Sequence, residues 1–207
     1  KLMSDPQFRD AVDATYAATG LVRPETELHQ AASDAVGSLG VLNKLAETNE
    51  AIQNTINGKV LIGIDCEAMN VETGSSNNIL HQCASVMMKD GEHIDTYQQS
   101  VSPEFLKRPI ANSEATAFPE HGYLYKLVDM AEHNTDGAYQ PVKDYTQMST
   151  DALHDFYLKH ITSDCTVESA RDEDTLLLDY MYNIYQQLEK HAERDPETGK
   201  FKAVLVG

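Results

Sequence analysis

The apolar run Val60-Leu-Ile-Gly-Ile64 stops at two carboxylates, Asp65 and Glu67, with Cys66 between them. A short block of aliphatic residues predicts a buried strand over Lys59–Ile64. Residues two apart on a strand point to the same face, so Asp65 and Glu67 should project side by side from its end. Two more strands are predicted over Ile79–Met88 and Glu92–Val101. Lys89-Asp-Gly91 joins them as a hairpin, because Asp-Gly tolerates the positive φ angles of a tight turn. Ser102-Pro103 closes that unit. Phe201–Val206 is predicted as a last strand, buried and parallel to the first.

Elsewhere the spacing is helical. Ser4-Asp5-Pro6 opens a helix with Pro in its first turn; Phe8, Val12 and Tyr16 form its stripe and Gly20 stops it. Pro24-Glu25 opens a second helical segment, striped by Ala31, Ala35, Leu39, Leu42, Leu45 and Ile52 and interrupted by Gly37 and Gly40. Asn57-Gly58 is a turn and marks the boundary of this helical extension. The clearest helix is Asp172–Glu193, with Leu177, Met181, Ile184 and Leu188 predicted as its core stripe. Thr150–Ile161 reads as a short helix. Residues 104–148, broken by Pro109, Pro119 and Pro141, read as an irregular excursion long enough to be a functional loop. The prediction is therefore an α/β domain over 59–207, preceded by a helical extension over 1–58.

Charge narrows the partners. Acidic residues number 33 against 16 basic ones, a net charge of −17. Such a chain has no general attraction for nucleic acid or an anionic membrane. A nuclease would have to work through bound divalent cations and a local basic patch. No apolar run approaches the ~20 residues that span a bilayer. The three cysteines, Cys66, Cys83 and Cys165, form no Cys-x-x-Cys, so neither a zinc site nor a disulfide framework is expected. An intracellular, non-secreted protein is the simpler expectation. The chain begins at Lys1 and stops inside an apolar run, which suggests a piece of a longer protein.

The paired acids carry the chemistry. Adjacent carboxylates repel unless a cation lies between them, so Asp65 and Glu67 point to a divalent-metal site. Other candidates have plainer readings. Cys66, on the opposite face, is expected in the core. His81 is expected at the surface or hydrogen-bonded. Asp172-Glu-Asp174 suits a helix start better than a cation site. Lys107-Arg108 reads as a solvated pair, and Tyr123, Tyr125 and Tyr139 as packing residues that could also stack on bases.

Asp65-Cys-Glu67 at a strand end, the hairpin Cys83–Met87/Ile94–Tyr97 around Asp90-Gly91, and Val101-Ser-Pro103 together resemble the DEDD superfamily of 3′–5′ exonucleases. Ile64-Asp-Cys-Glu67 is most similar to its RNA-exonuclease branch, although Ala68 precedes Met69 where that branch has Met directly. The resemblance covers residues 59–103 and resumes over 172–207. It implies a ribonuclease-H-like mixed sheet, three antiparallel strands and then a parallel one. It also implies two Mg²⁺ or Mn²⁺ ions and hydrolysis of phosphodiester bonds at the 3′ end of RNA or single-stranded DNA. Asp65 would bridge both ions and Glu67 would bind one. Ala68 and Met69 would lie beside the terminal nucleotide, as backbone donor and apolar wedge. The family's second motif, its later His-x-x-x-x-Asp and the general-base His are expected after Gly207, so the chain alone is expected to be inactive. Residues 1–58 have no counterpart in the resemblance and are expected to serve assembly or a protein partner rather than chemistry. A polymerase proofreading domain would share the same residues. A noncatalytic ribonuclease-H-like module is the rival from another class.

Overall fold

The computed structural model describes residues 5–21, 31–70, 78–102, 104–105 and 165–207. Three helices come first: α1 (Pro6–Thr19), α2 (Ala31–Thr48) and α3 (Glu50–Ile56). Strands β1 (Val60–Asn70), β2 (Asn78–Lys89) and β3 (Glu92–Ser100) follow, then α4 (Glu173–His191) and β4 (Ala203–Val206). The Pro24-Glu25 start, the 106–148 part of the excursion, the 150–161 helix, the Lys107-Arg108 pair and the three excursion tyrosines lie outside the described residues.

The four strands form one mixed sheet in the order β3-β2-β1-β4. β1, β2 and β3 are antiparallel neighbours, and β4 runs parallel to β1, pairing Val60–Gly63 with Ala203–Val206. The α/β class and the strand directions expected from the sequence are therefore present. Asp90 and Gly91 both have positive φ, 52° and 82°, as a two-residue hairpin turn requires. The free edge of β3 is partly covered: the Thr166 and Ala170 amides donate to the Gln98 and Ser100 carbonyls, which blunts an otherwise open edge.

The sheet separates two apolar layers. On one face Val12 and Tyr16 of α1 and Ala35, Val36 and Leu39 of α2 pack with Leu61, Val86 and Met88. On the other, Val60, Ile62 and Met87 meet Ile184, Leu188 and Ala192 from α4 and the residue after it. The Asn57-Gly58 turn is thus a turn in the chain across which packing continues. α1 and α2 pack on one face of the sheet.

Three expectations need correction. β4 is not buried: Leu205 is 62% exposed and its neighbours are half-buried, because among the described residues β4 is an edge strand paired only with β1. β1 does not end at Ile64; its pairing with β2 continues through Asp65 and Glu67 to Asn70. What ends there is the parallel partner, whose last pair is Gly63–Val206, so the acids lie just beyond it. The first half of the α4 core stripe is also rotated, while Ile184 and Leu188 pack against the sheet as expected. Leu176 and Tyr180 are buried, whereas Leu177 and Met181 are 44% and 59% exposed. Periodicity alone does not separate these stripes, because Leu176, Leu177 and Leu178 are consecutive. The flanking charges behave as expected: Asp172 is the N-cap of α4, its side chain accepting from the Thr175 amide at 2.9 Å. The Thr175 hydroxyl, that amide and Arg171 hold the pKa of its carboxyl at about 2. Among the described residues, no helix is long and apolar enough to cross a membrane.

Candidate metal centre

The site is built where α2 crosses β1. Gly63 makes the crossing possible. A Cβ there would stand 2.5 Å from the Ala35 carbonyl oxygen and 2.9 Å from Leu39 Cγ, so only glycine lets the helix backbone lie this close to the strand. Gly40 does the same between helices, where a Cβ would meet the Val12 Cα at 2.7 Å.

The start of α2 is then held by side chains from the sheet. A helix leaves its first amides without intrahelical partners. Here the Ala31 amide donates to Gln82 Oε1 at 3.1 Å and the Ala32 amide to Gln98 Oε1 at 2.9 Å. Gln82 in turn donates to Ser100 Oγ at 3.2 Å. From α1, the Tyr16 hydroxyl donates to the Ser33 carbonyl at 3.0 Å. These bonds explain the burial of Gln82 and Gln98, two of the three glutamines buried in the sheet: they anchor the residues immediately before Asp34.

Asp34 then stands against the two acids of β1. One carboxylate oxygen from each of Asp34, Asp65 and Glu67 lies within 4.8 Å of the others. Glu67 is 7% exposed, and the other two are half-buried. The shared face expected for Asp65 and Glu67 holds, because Leu61, Gly63, Asp65 and Glu67 alternate onto the α2 side of β1. A β-bulge follows at once. Glu67 pairs with Gln82 but Ala68 pairs with Leu80, leaving His81 as the additional residue on β2. Bulges bend a strand and re-aim neighbouring side chains. His81 is buried, which removes the surface alternative expected for it and leaves the hydrogen-bonded one. Ala68 is half-buried, and the Met69 backbone pairs with Ile79.

The donor set fits a hard divalent cation. Three carboxylates supply oxygen ligands, and opposite ligands of an octahedral Mg²⁺ stand about 4.2 Å apart at ~2.1 Å per bond. Adjacent ligands stand only about 3.0 Å apart, and three ligands include at least two adjacent pairs, so oxygens at the 4.8 Å limit close by up to about 2 Å to share one ion. Without a cation, three like charges in a half-buried site repel, at about 1 kcal/mol per pair in water-like surroundings and about 4 at an effective dielectric of 20. Asp34 was missed in the sequence, although His29-Gln-Ala-Ala-Ser-Asp34 carries a His-x-x-x-x-Asp spacing, because that motif is expected after the Asp-x-Glu strand and Asp34 is a single acid in a helical stripe. There a carboxylate near the helix N-terminus already has an explanation in the dipole.

The opposite face of β1 carries different chemistry. Cys66 is exposed, not in the core as expected, and its partner across the ladder is the buried Cys83. The two sulfurs are 2.9 Å apart. The contact with Cys83 lowers the Cys66 pKa from its ordinary value, while the same contact and burial raise that of Cys83. Tyr180 packs beside them, its hydroxyl donating to the Ala84 carbonyl at 3.0 Å, and burial raises its pKa.

No protein-family model matches the chain, and no curated protein sequence matches it.

Proposed function

We propose that this chain carries the metal-binding core of a DEDD-type 3′–5′ exonuclease with a ribonuclease-H-like fold, acting on the 3′ end of RNA or single-stranded DNA. The observation that carries the reading is the third carboxylate. Asp34 joins Asp65 and Glu67, and the sequence before it reads His29-Gln-Ala-Ala-Ser-Asp34. That is the His-x-x-x-x-Asp spacing which the resembling family carries late in its chain. Here it precedes the Asp-x-Glu strand, so the order of motifs is permuted. A metal site depends on where ligands meet in space and not on their chain order. A helix laid across β1 can deliver the acid from either end. The strand order β3-β2-β1-β4, with an antiparallel hairpin followed by a parallel strand, supports the same reading.

In this proposal Asp34, Asp65 and Glu67 hold Mg²⁺ or Mn²⁺, which supplies Lewis-acid stabilisation of the phosphodiester oxygens and a more acidic water. The protein's own part is positional. Gln82, Gln98 and Gly63 hold α2 so that the three carboxylates converge. Ala68 and the Met69 backbone lie next along β1, where a terminal nucleotide would pass. His29, outside the described residues, is assigned the general base that takes a proton from the attacking water.

The test uses the full-length protein with 5′-labelled single-stranded RNA and DNA, titrating Mn²⁺. Stepwise shortening from the 3′ end is expected. Asp34→Asn, Asp65→Asn and Glu67→Gln should each abolish it, whereas His29→Ala should lower turnover with Mn²⁺ affinity retained. If Asp34→Asn kept near wild-type turnover, the three-acid site would be wrong. If no substrate were shortened although Mn²⁺ bound through the three acids, the exonuclease reading would fall and the metal site would stand.

A further inference from the structure

We propose that Cys66 and Cys83 are a dithiol/disulfide site that reacts with small-molecule disulfides of the glutathione type, and that oxidation staples β1 to β2 directly behind the acidic cluster. The inference rests on strand geometry and is independent of the exonuclease reading.

Three observations carry it. The residues are direct partners in the antiparallel ladder. Such partners have Cα atoms about 4.5 or 5.5 Å apart, inside the ~4.4–6.8 Å range that a disulfide accepts. Their side chains share one face, with the sulfurs 2.9 Å apart, so a bond needs an approach of less than about 1 Å. Finally, the two thiols differ in access: Cys66 is exposed, and Cys83 is 0% exposed. One thiol can meet a reagent from solution, and the other can react only with Cys66.

That asymmetry orders the chemistry. The Cys66 thiolate attacks one sulfur of glutathione disulfide, whose S–S bond breaks and releases one glutathione thiolate. A mixed disulfide at Cys66 results. Cys83 then gives up its proton and attacks the Cys66 sulfur, breaking the bond to glutathione and releasing the second molecule. Two protein thiols are oxidised, one small disulfide is reduced to two thiols, and the proton count balances. Reduced glutathione reverses the sequence. Cys165 has a different neighbour, the Ser100 hydroxyl at 3.2 Å, and takes no part.

Cys66 lies between Asp65 and Glu67, so the staple ties the backbone that carries both acids to the strand that carries Gln82. The experiment incubates the folded, full-length protein with mixtures of reduced and oxidised glutathione, quenches with acid, alkylates and maps peptides by mass spectrometry. The expected product is a single cross-linked peptide pair joining Cys66 to Cys83, with Cys165 alkylated, fully reversed by excess reduced glutathione. Cys83→Ala is expected to stop at the Cys66–glutathione mixed disulfide. Near-UV circular dichroism reports whether that variant is folded, and the wild-type map decides the question without it. Three outcomes overturn the proposal. They are a persistent glutathione adduct on wild-type Cys66, a cross-link that involves Cys165, or a Cys66–Cys83 bond that forms only after denaturation.

Discussion

Asp34, Asp65 and Glu67 bring three carboxylate oxygens within 4.8 Å of one another. Each pair costs about 1–4 kcal/mol when no cation is present, depending on local screening. Asp65→Asn should therefore leave the metal-free protein as stable as wild type, or more so, since it removes two of the three repulsions. The same change should weaken Mn²⁺ binding at least about tenfold, a loss of ~1.4 kcal/mol or more. Thermal unfolding with and without Mn²⁺ separates the two effects. Wild type should gain stability with rising Mn²⁺ by mass action, and Asp65→Asn should gain little. A variant destabilised without metal, yet stabilised by Mn²⁺ as strongly as wild type, would show that Asp65 is structural. The sequence made Asp65 and Glu67 legible because alternation on a strand dictates a shared face. Asp34 was less legible: its local signal is the His29-x-x-x-x-Asp34 spacing, which lies before β1 where the resemblance places it after, and a helix dipole also accounts for a carboxylate there.

Between elements, the decisive contact is α2 on β1. Its closeness is set by Gly63, whose missing side chain leaves room for the Ala35 carbonyl and Leu39. Gly63→Ala should cost about 1–3 kcal/mol through overpacking. It should also lower Mn²⁺ affinity, because relief comes from α2 moving off the strand and taking Asp34 with it. Denaturant unfolding and a Mn²⁺ titration of the same variant check both. A stability loss with unchanged affinity would mean that the glutamine anchors alone hold Asp34 in place. The hairpin turn at Asp90-Gly91, the Asp5 and Asp172 caps and the stop at Gly20 were readable beforehand. Each depends on a residue's own backbone preferences or on a partner within a few positions. The face of α4 was readable at Ile184 and Leu188 but not in its first turns, since three consecutive leucines fit more than one stripe and only the sheet's position selects Leu176.

At the scale of the molecule, residues 1–58 form one of the two layers that cover the sheet. Leu61, Val86 and Met88 are buried under α1 and α2. A chain starting at Lys59 would expose them and lose Asp34. That deletion is expected to give a protein without near-UV circular dichroism or dispersed amide resonances, and without Mn²⁺ binding, even though β1 and both its acids remain. A folded, metal-binding product would show that the helices are an accessory, as the sequence reading held.

The sequence by itself determined what is local. It specified the strand that carries Asp65 and Glu67, the tight hairpin after it, the helix starts and stops, and the parallel return of the last strand. It also put two like charges on one face of that strand. Only the tertiary structure decided what comes from a distance. Asp34 reaches β1 because buried glutamines on β2 and β3 hold the start of α2 and a glycine lets it approach. Cys66 meets Cys83 because the ladder register puts them opposite. Those meetings lie in the relative placement of elements separated by a loop or a turn, which no periodicity within either element encodes.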